Sequence, residues 1–158
     1  MALALFSSLS VSANQDAEVL GVAFGSTCEE TVQKLNKDYG APKSQSADKL
    51  VYLNEMFEGF KADRVELGFQ DLQGTTKLNQ ARFYFVCPNK AAAIARMKSL
   101  VKKMETRYSV SYDEEDGGTA FYKGGNSPLG IGCLFTIFVS PYQGKWTCQL
   151  RYGKFQFK

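Results

Sequence analysis

The sequence predicts an α+β domain: two α-β-β-β pseudo-repeats, with the helices packed on one face of an antiparallel sheet. Three observations predict it. Apolar residues recur at helical spacing twice, once after Ser26-Thr27 and once after Cys87-Pro88. Each helical stretch precedes three strand-like runs bounded by turn residues. The connections between these runs are short, and a parallel crossover needs about a dozen residues or more, so neighbouring strands must be antiparallel. Laying helices on such a sheet is the simplest way to bury its apolar side.

In chain order, residues 1–13 carry no charge, and Leu3 to Val11 has the length of a signal-peptide apolar core. Val11-Ser12-Ala13 supplies small residues before a cleavage point, although no Lys or Arg precedes the run. Segment 1–13 is therefore expected to be a signal-peptide remnant, with a buried first strand as the alternative. One domain is expected over 14–158, with pseudo-repeats at about 18–87 and 88–158.

Glu18 to Phe24 reads as a short opening strand that Gly25 breaks. Ser26-Thr27 followed by Glu29-Glu30 forms a capping box, in which a hydroxyl caps the helix and a carboxylate follows three residues on. Cys28, Val32, Leu35 and Tyr39 then line one helical face, and Gly40 and Pro42 end it. Leu50 to Phe57 is a strand and Gly59 a turn. Arg64 to Gln70 alternates with Val65, Leu67 and Phe69 inward; Asp71 to Thr76 turns the chain; Ala81, Phe83 and Phe85 point inward from the next strand.

The second helix lies between Asn89 and Tyr108, with Ile94, Met97, Val101, Met104 and Tyr108 along one side. Asp113 to Gly118 is a turn and Thr119 to Lys123 a short strand. Gly124 to Gly130 is a loop. Gly132 to Ser140 is apolar on both faces, which predicts a central strand. On the last strand Trp146, Cys148, Leu150 and Tyr152 alternate with Thr147, Gln149 and Arg151. Pairing Val139 with Trp146 across the Pro141 to Gly144 turn would set Cys133 opposite Tyr152.

Several function classes are disfavoured. A net charge of +3 without a basic cluster argues against nucleic acid. After residue 13 no apolar run reaches about eighteen residues, so the mature chain is not expected to insert in a membrane. Histidine, the commonest general base, is absent, and no Gly-x-Ser-x-Gly elbow appears, so no enzyme is expected and no catalytic residue is assigned. The Asp113 to Asp116 run lacks calcium-loop spacing, and Gly124 to Gly132 lacks the Gly-Lys-Ser/Thr of a phosphate loop. No metal and no cofactor is expected.

Four cysteines, Cys28, Cys87, Cys133 and Cys148, fit an exported protein with up to two disulfides, in any of three pairings. Free buried thiols are the alternative. The strongest binding signal is aromatic. If Phe83 and Phe85 face the helices, Arg82 and Tyr84 face away, and either Cys133/Phe135/Ile137 or Leu134/Phe138 joins them. Arg82, Tyr84, Phe138, Tyr142 and Arg151 make up the candidate protein-binding set, since aromatics and arginine on an open sheet face are what protein interfaces favour. A second packing layer or a homodimer contact is the competing reading.

The run Gly21-Val-Ala-Phe-Gly25-Ser-Thr-Cys-Glu29-Glu30-Thr-Val32, with Leu35 and Gly40-Ala-Pro42, resembles the motif that opens domains of the beta-lactamase-inhibitor-protein-like superfamily, which includes small outer-membrane assembly lipoproteins. It departs where Asn36 to Tyr39 separate Leu35 from Gly40. The resemblance implies tandem helix-plus-sheet repeats in an exported bacterial protein, periplasmic or extracellular, that binds proteins through an open sheet face. It transfers no binding residue. The expected function is therefore a noncatalytic protein-binding module, in its specific form an inhibitor of a secreted or envelope enzyme; the alternative is a carrier of a small hydrophobic ligand.

Overall fold

An eight-stranded antiparallel sheet carries the fold of the computed structural model, which describes residues 17–114 and 120–158. The chain enters through a two-stranded hairpin, β1 (Glu18–Val19) and β2 (Val22–Ala23), followed by α1 (Cys28–Tyr39). Strands β3 (Ser44–Gln45), β4 (Lys49–Phe57), β5 (Phe60–Leu72) and β6 (Thr75–Cys87) come next. Helix α2 (Lys90–Glu105) then leads to β7 (Val110–Glu114), β8 (Ala120–Gly124), β9 (Phe135–Tyr142) and β10 (Lys145–Gly153). The sheet order is β3-β4-β5-β6-β10-β9-β8-β7. Each series of strands thus runs inward from an edge, and the last strand of each pairs at the centre of the sheet.

Both helices form where local chemistry starts them. The Thr27 hydroxyl accepts a hydrogen bond from Glu30 N at 3.1 Å, and the Asn89 carboxamide accepts one from Ala92 N at 2.8 Å. The second cap lies outside the Ser/Thr pattern that marked the first. At the end of α1, Gly40 takes φ 69° and its N–H reaches Asn36 O at 3.0 Å.

Four hairpins share one turn. Leu20-Gly21, Glu58-Gly59, Gln73-Gly74 and Gln143-Gly144 each place two residues at positive φ between paired strand ends, the signature of a type I′ turn. Its twist matches that of the flanking strands, and glycine supplies the second left-handed position without steric cost. These turns adjust several expectations. The opening strand is split at Leu20-Gly21 into β1 and β2. The Asp71 to Thr76 turn shrinks to Gln73-Gly74, because β5 and β6 extend into it. The last hairpin pairs Tyr142 with Lys145 and Pro141 with Trp146, two residues away from the expected register, so Val139 faces Cys148 and Cys133 precedes the strand.

Alternation fills the interior. Val65, Leu67 and Phe69 of β5, Ala81, Phe83 and Phe85 of β6, and Leu150 and Tyr152 of β10 are all buried in one core cluster. Leu35 of α1 and Met97, Leu100, Val101 and Met104 of α2 belong to the same cluster. At about 25 cal/mol per Å² of apolar surface removed from water, this burial is the main stabilising term.

Each helix is followed by four strands instead of three. The two-residue β3 and the largely polar β7 carry little apolar alternation to announce them. Strand β9 begins at Phe135, later than expected, and lies between β8 and β10, with the central pair being β6 and β10. The segment 1–13 and the end of the acidic run at Glu115 to Gly118 lie outside the described residues.

The disulfide expectation is corrected. Cys28, Cys87, Cys133 and Cys148 are all free thiols. Cys28 opens α1, Cys87 ends β6, Cys133 precedes β9 and Cys148 lies within β10. Cys87 faces Trp146 while Cys148 faces Phe85, which makes the two cysteines a diagonal pair. Diagonal positions sit about 7–8 Å apart, beyond the usual disulfide span.

Candidate functional site

Because the side-chain period of a strand is two, the residues between the core positions define a second sheet face. On β6 these are Arg82 and Tyr84, and on β10 Gln149 and Arg151. Register carries the face across the sheet: Arg82 is opposite Arg151, Tyr84 opposite Gln149, Gln149 opposite Phe138, and Arg151 opposite Thr136. Tyr142 stays in phase with Phe138 along β9. All five predicted binding residues, Arg82, Tyr84, Phe138, Tyr142 and Arg151, therefore share one face.

The choice between the two apolar sets before and within β9 is now resolved. Phe135 and Ile137 enter the core and Phe138 points the other way. Leu134 does not accompany Phe138; it lies ahead of the strand and is buried in the core.

Contacts on this face are aromatic and cationic. The rings of Tyr84 and Tyr142 lie 4.5 Å apart. The Arg151 guanidinium sits over the Phe138 ring at 5.1 Å, within cation–π range. Burial, followed by neighbouring Arg82, pushes the Arg151 guanidinium below its ordinary value, and burial raises the Tyr84 phenol. Arg151 Nε is buried with no hydrogen-bond partner. A cleft of about 460 Å³ opens beside it, lined by Phe121, Thr136, Phe138, Val139, Ser140, Arg151 and Gly153.

Sequence reasoning missed the polar part of this face. Arg64 Nε donates to Glu66 Oε1 at 2.7 Å, and Lys49 lies 3.7 Å from the same carboxylate. Arg64 stands opposite Tyr84, and Glu66 opposite Arg82. The outward phase of Arg64 and Glu66 was already visible in the alternation of β5, but their partners across the sheet depend on register.

A larger cleft of about 640 Å³ lies by the Gly124-Gly125 loop and includes Arg107, Lys123 and Cys133. Its cations are engaged: Arg107 pairs with Glu58, and Lys123 with Asp113 at 2.8 Å. The hydrogen bond from Lys123 holds the Asp113 carboxyl below its ordinary value. Among the described residues, no three His, Cys, Asp or Glu side chains converge as a metal site requires. No described helix is long and apolar enough to cross a membrane. Compared with known proteins, the chain matches no family model, no curated protein and no solved structure.

Proposed function

We propose that this chain is an exported, noncatalytic protein-binding module, and that it binds through the sheet face bearing Arg82, Tyr84, Phe138, Tyr142 and Arg151. In this reading α1 and α2 cover the opposite face, and the two helix-plus-strand series are pseudo-repeats. Inhibition of a secreted or envelope enzyme is the specific activity such a surface would serve. The observation that carries the proposal is the register, which gathers Phe138, Tyr142, Arg82 and Arg151 on one side of the central strands, with Tyr84 buried among them as the support of the Tyr142 ring. These residue types dominate interface energetics.

Three further points support it. The apolar residues of both helices cluster with core-side strand residues such as Phe83, Ile137 and Leu150. That interior is filled by large side chains, among them Phe83, Phe85, Leu100 and Met104, which disfavours a carrier of a hydrophobic ligand. The uncharged stretch at 1–13 and the resemblance of the Gly21 to Pro42 motif to beta-lactamase-inhibitor-protein-like domains favour an exported bacterial protein.

The test is affinity capture from the producer's envelope and secreted proteins, comparing the native chain with Phe138→Ala and Tyr142→Ala. A partner held by the native chain and released by both variants is the expected result. Equal retention by all three would overturn the placement of the binding face.

A further inference from the structure

We infer that the Arg82–Arg151 pair is a receptor for a carboxylate, an Asp or Glu side chain on the protein partner, and that the adjoining cleft takes the apolar side chain beside it. This rests on the reading of the face as a binding surface and specifies its chemistry. The two arginines are directly opposed across the β6–β10 pair, an arrangement in which like charges destabilise a sheet. Three other cations of this face are answered from within the protein: Lys49 and Arg64 share Glu66, and Lys123 has Asp113, while Lys145 at the hairpin end opposite Tyr142 is exposed to solvent. Among the described residues, Arg82 and Arg151 make no ion pair; Arg82 Nε and Nη2 donate to the neutral carboxamide oxygen of Gln80, at 2.9 and 3.1 Å, which a carboxylate would replace.

Glu66 stands opposite Arg82 in the register yet directs an oxygen to Arg64 at 2.7 Å. Arg151 Nε is buried without an acceptor, while its guanidinium is held over Phe138. A carboxylate arriving between the two guanidiniums would relieve their repulsion and supply acceptors in the fork geometry that arginine favours. Arg151 also lines the cleft of about 460 Å³, together with Phe121 and Phe138, so an aromatic or aliphatic neighbour of the acid enters it from the Arg151 side. A phosphate would satisfy the charge equally well but would leave this apolar wall unused.

The probe is N-acetyl-aspartyl-phenylalanine amide, titrated into ¹⁵N-labelled full-length protein while the arginine Nε–Hε resonances are followed. The expected result is a saturable shift at Arg82 and Arg151, with the asparaginyl counterpart binding about tenfold more weakly. Arg82→Gln and Arg151→Gln, each checked for a native amide spectrum, should both abolish that preference. Equal binding of the two peptides, displacement by equimolar inorganic phosphate, or no shift with either peptide would overturn the inference. Its failure is distinguishable from failure of the functional reading. A partner lost on Phe138→Ala and Tyr142→Ala but kept on Arg82→Gln and Arg151→Gln leaves the binding face standing without a carboxylate receptor.

Discussion

Tyr142, the last residue of β9, places its ring 4.5 Å from that of Tyr84 on β6, reaching across β10 to do so. Tyr84 is left only 3% exposed even though it lies on the face away from the core. The pair thus links the hairpin tip to the central strand. Tyr142→Ala should cost about 1 kcal/mol, the range of an aromatic pair beyond its buried area, whereas Tyr142→Phe should stay near the native value. Urea unfolding of the two variants checks this; equal losses would place the contribution in the hydroxyl instead of the ring.

In the interior, Phe83 is fully buried, with Phe57 at 4.3 Å and Tyr152 at 6.1 Å between ring centroids. Deleting it leaves a cavity between rings held by β4 and β10, on either side of β6 in the sheet. Phe83→Ala should destabilise the fold by about 3–5 kcal/mol, while Val86→Ala, three residues on and partly exposed, should stay within about 0.5 kcal/mol. Guanidinium denaturation midpoints separate the two cases.

The shared hairpin turn makes a prediction of opposite sign. Gln143 occupies φ 51° and Gly144 φ 76°. Asparagine tolerates the first position better than glutamine, and any side chain at the second is strained. Gln143→Asn should raise stability by roughly 0.5 kcal/mol and Gly144→Ala lower it by about 1–2 kcal/mol. Thermal unfolding of both variants reads this out, and a destabilised Gln143→Asn would contradict the type I′ assignment.

Both helices and the inward sets of β5 and β6 were legible in the sequence because their apolar periods are long and clean. Phe83 and Phe85 alternate with Arg82 and Tyr84, so the face assignment of Tyr84 followed directly. Phe138 was ambiguous because β9 is apolar on both faces, and only the pairing of Phe138 with Gln149 assigned its side. Strand β7 was hidden for the opposite reason: Ser111, Tyr112 and Glu114 are all exposed, so hydrophobic burial leaves no period there. The Arg82–Arg151 opposition was invisible, since the two residues are far apart in the chain and meet only through the β6–β10 register. The missing disulfides have the same origin: cysteine count constrains pairing chemistry, and strand register decides whether two cysteines meet.

Cys148 makes stability depend on alkaline pH. Its thiol is fully buried, and burial pushes it up to about 12 from an ordinary 9.0. Below about pH 9 both folded and unfolded chains hold the proton, and the contribution is fully present. As pH rises from about 9 towards 12 the unfolded chain releases the proton while the folded chain retains it, so stability falls. The loss from this thiol should reach about 1.4 kcal/mol by about pH 10. Burial raises the Tyr39, Tyr52, Tyr84 and Tyr152 phenols as well, so an alkaline loss starting near their ordinary value of 10.0 should remain after the thiol is removed. Urea midpoints at about pH 8 and pH 10 should therefore drop more for the native chain than for Cys148→Ala, whatever the absolute cost of that substitution. Equal drops would show that the thiol ionises as freely in the folded chain as in the unfolded one.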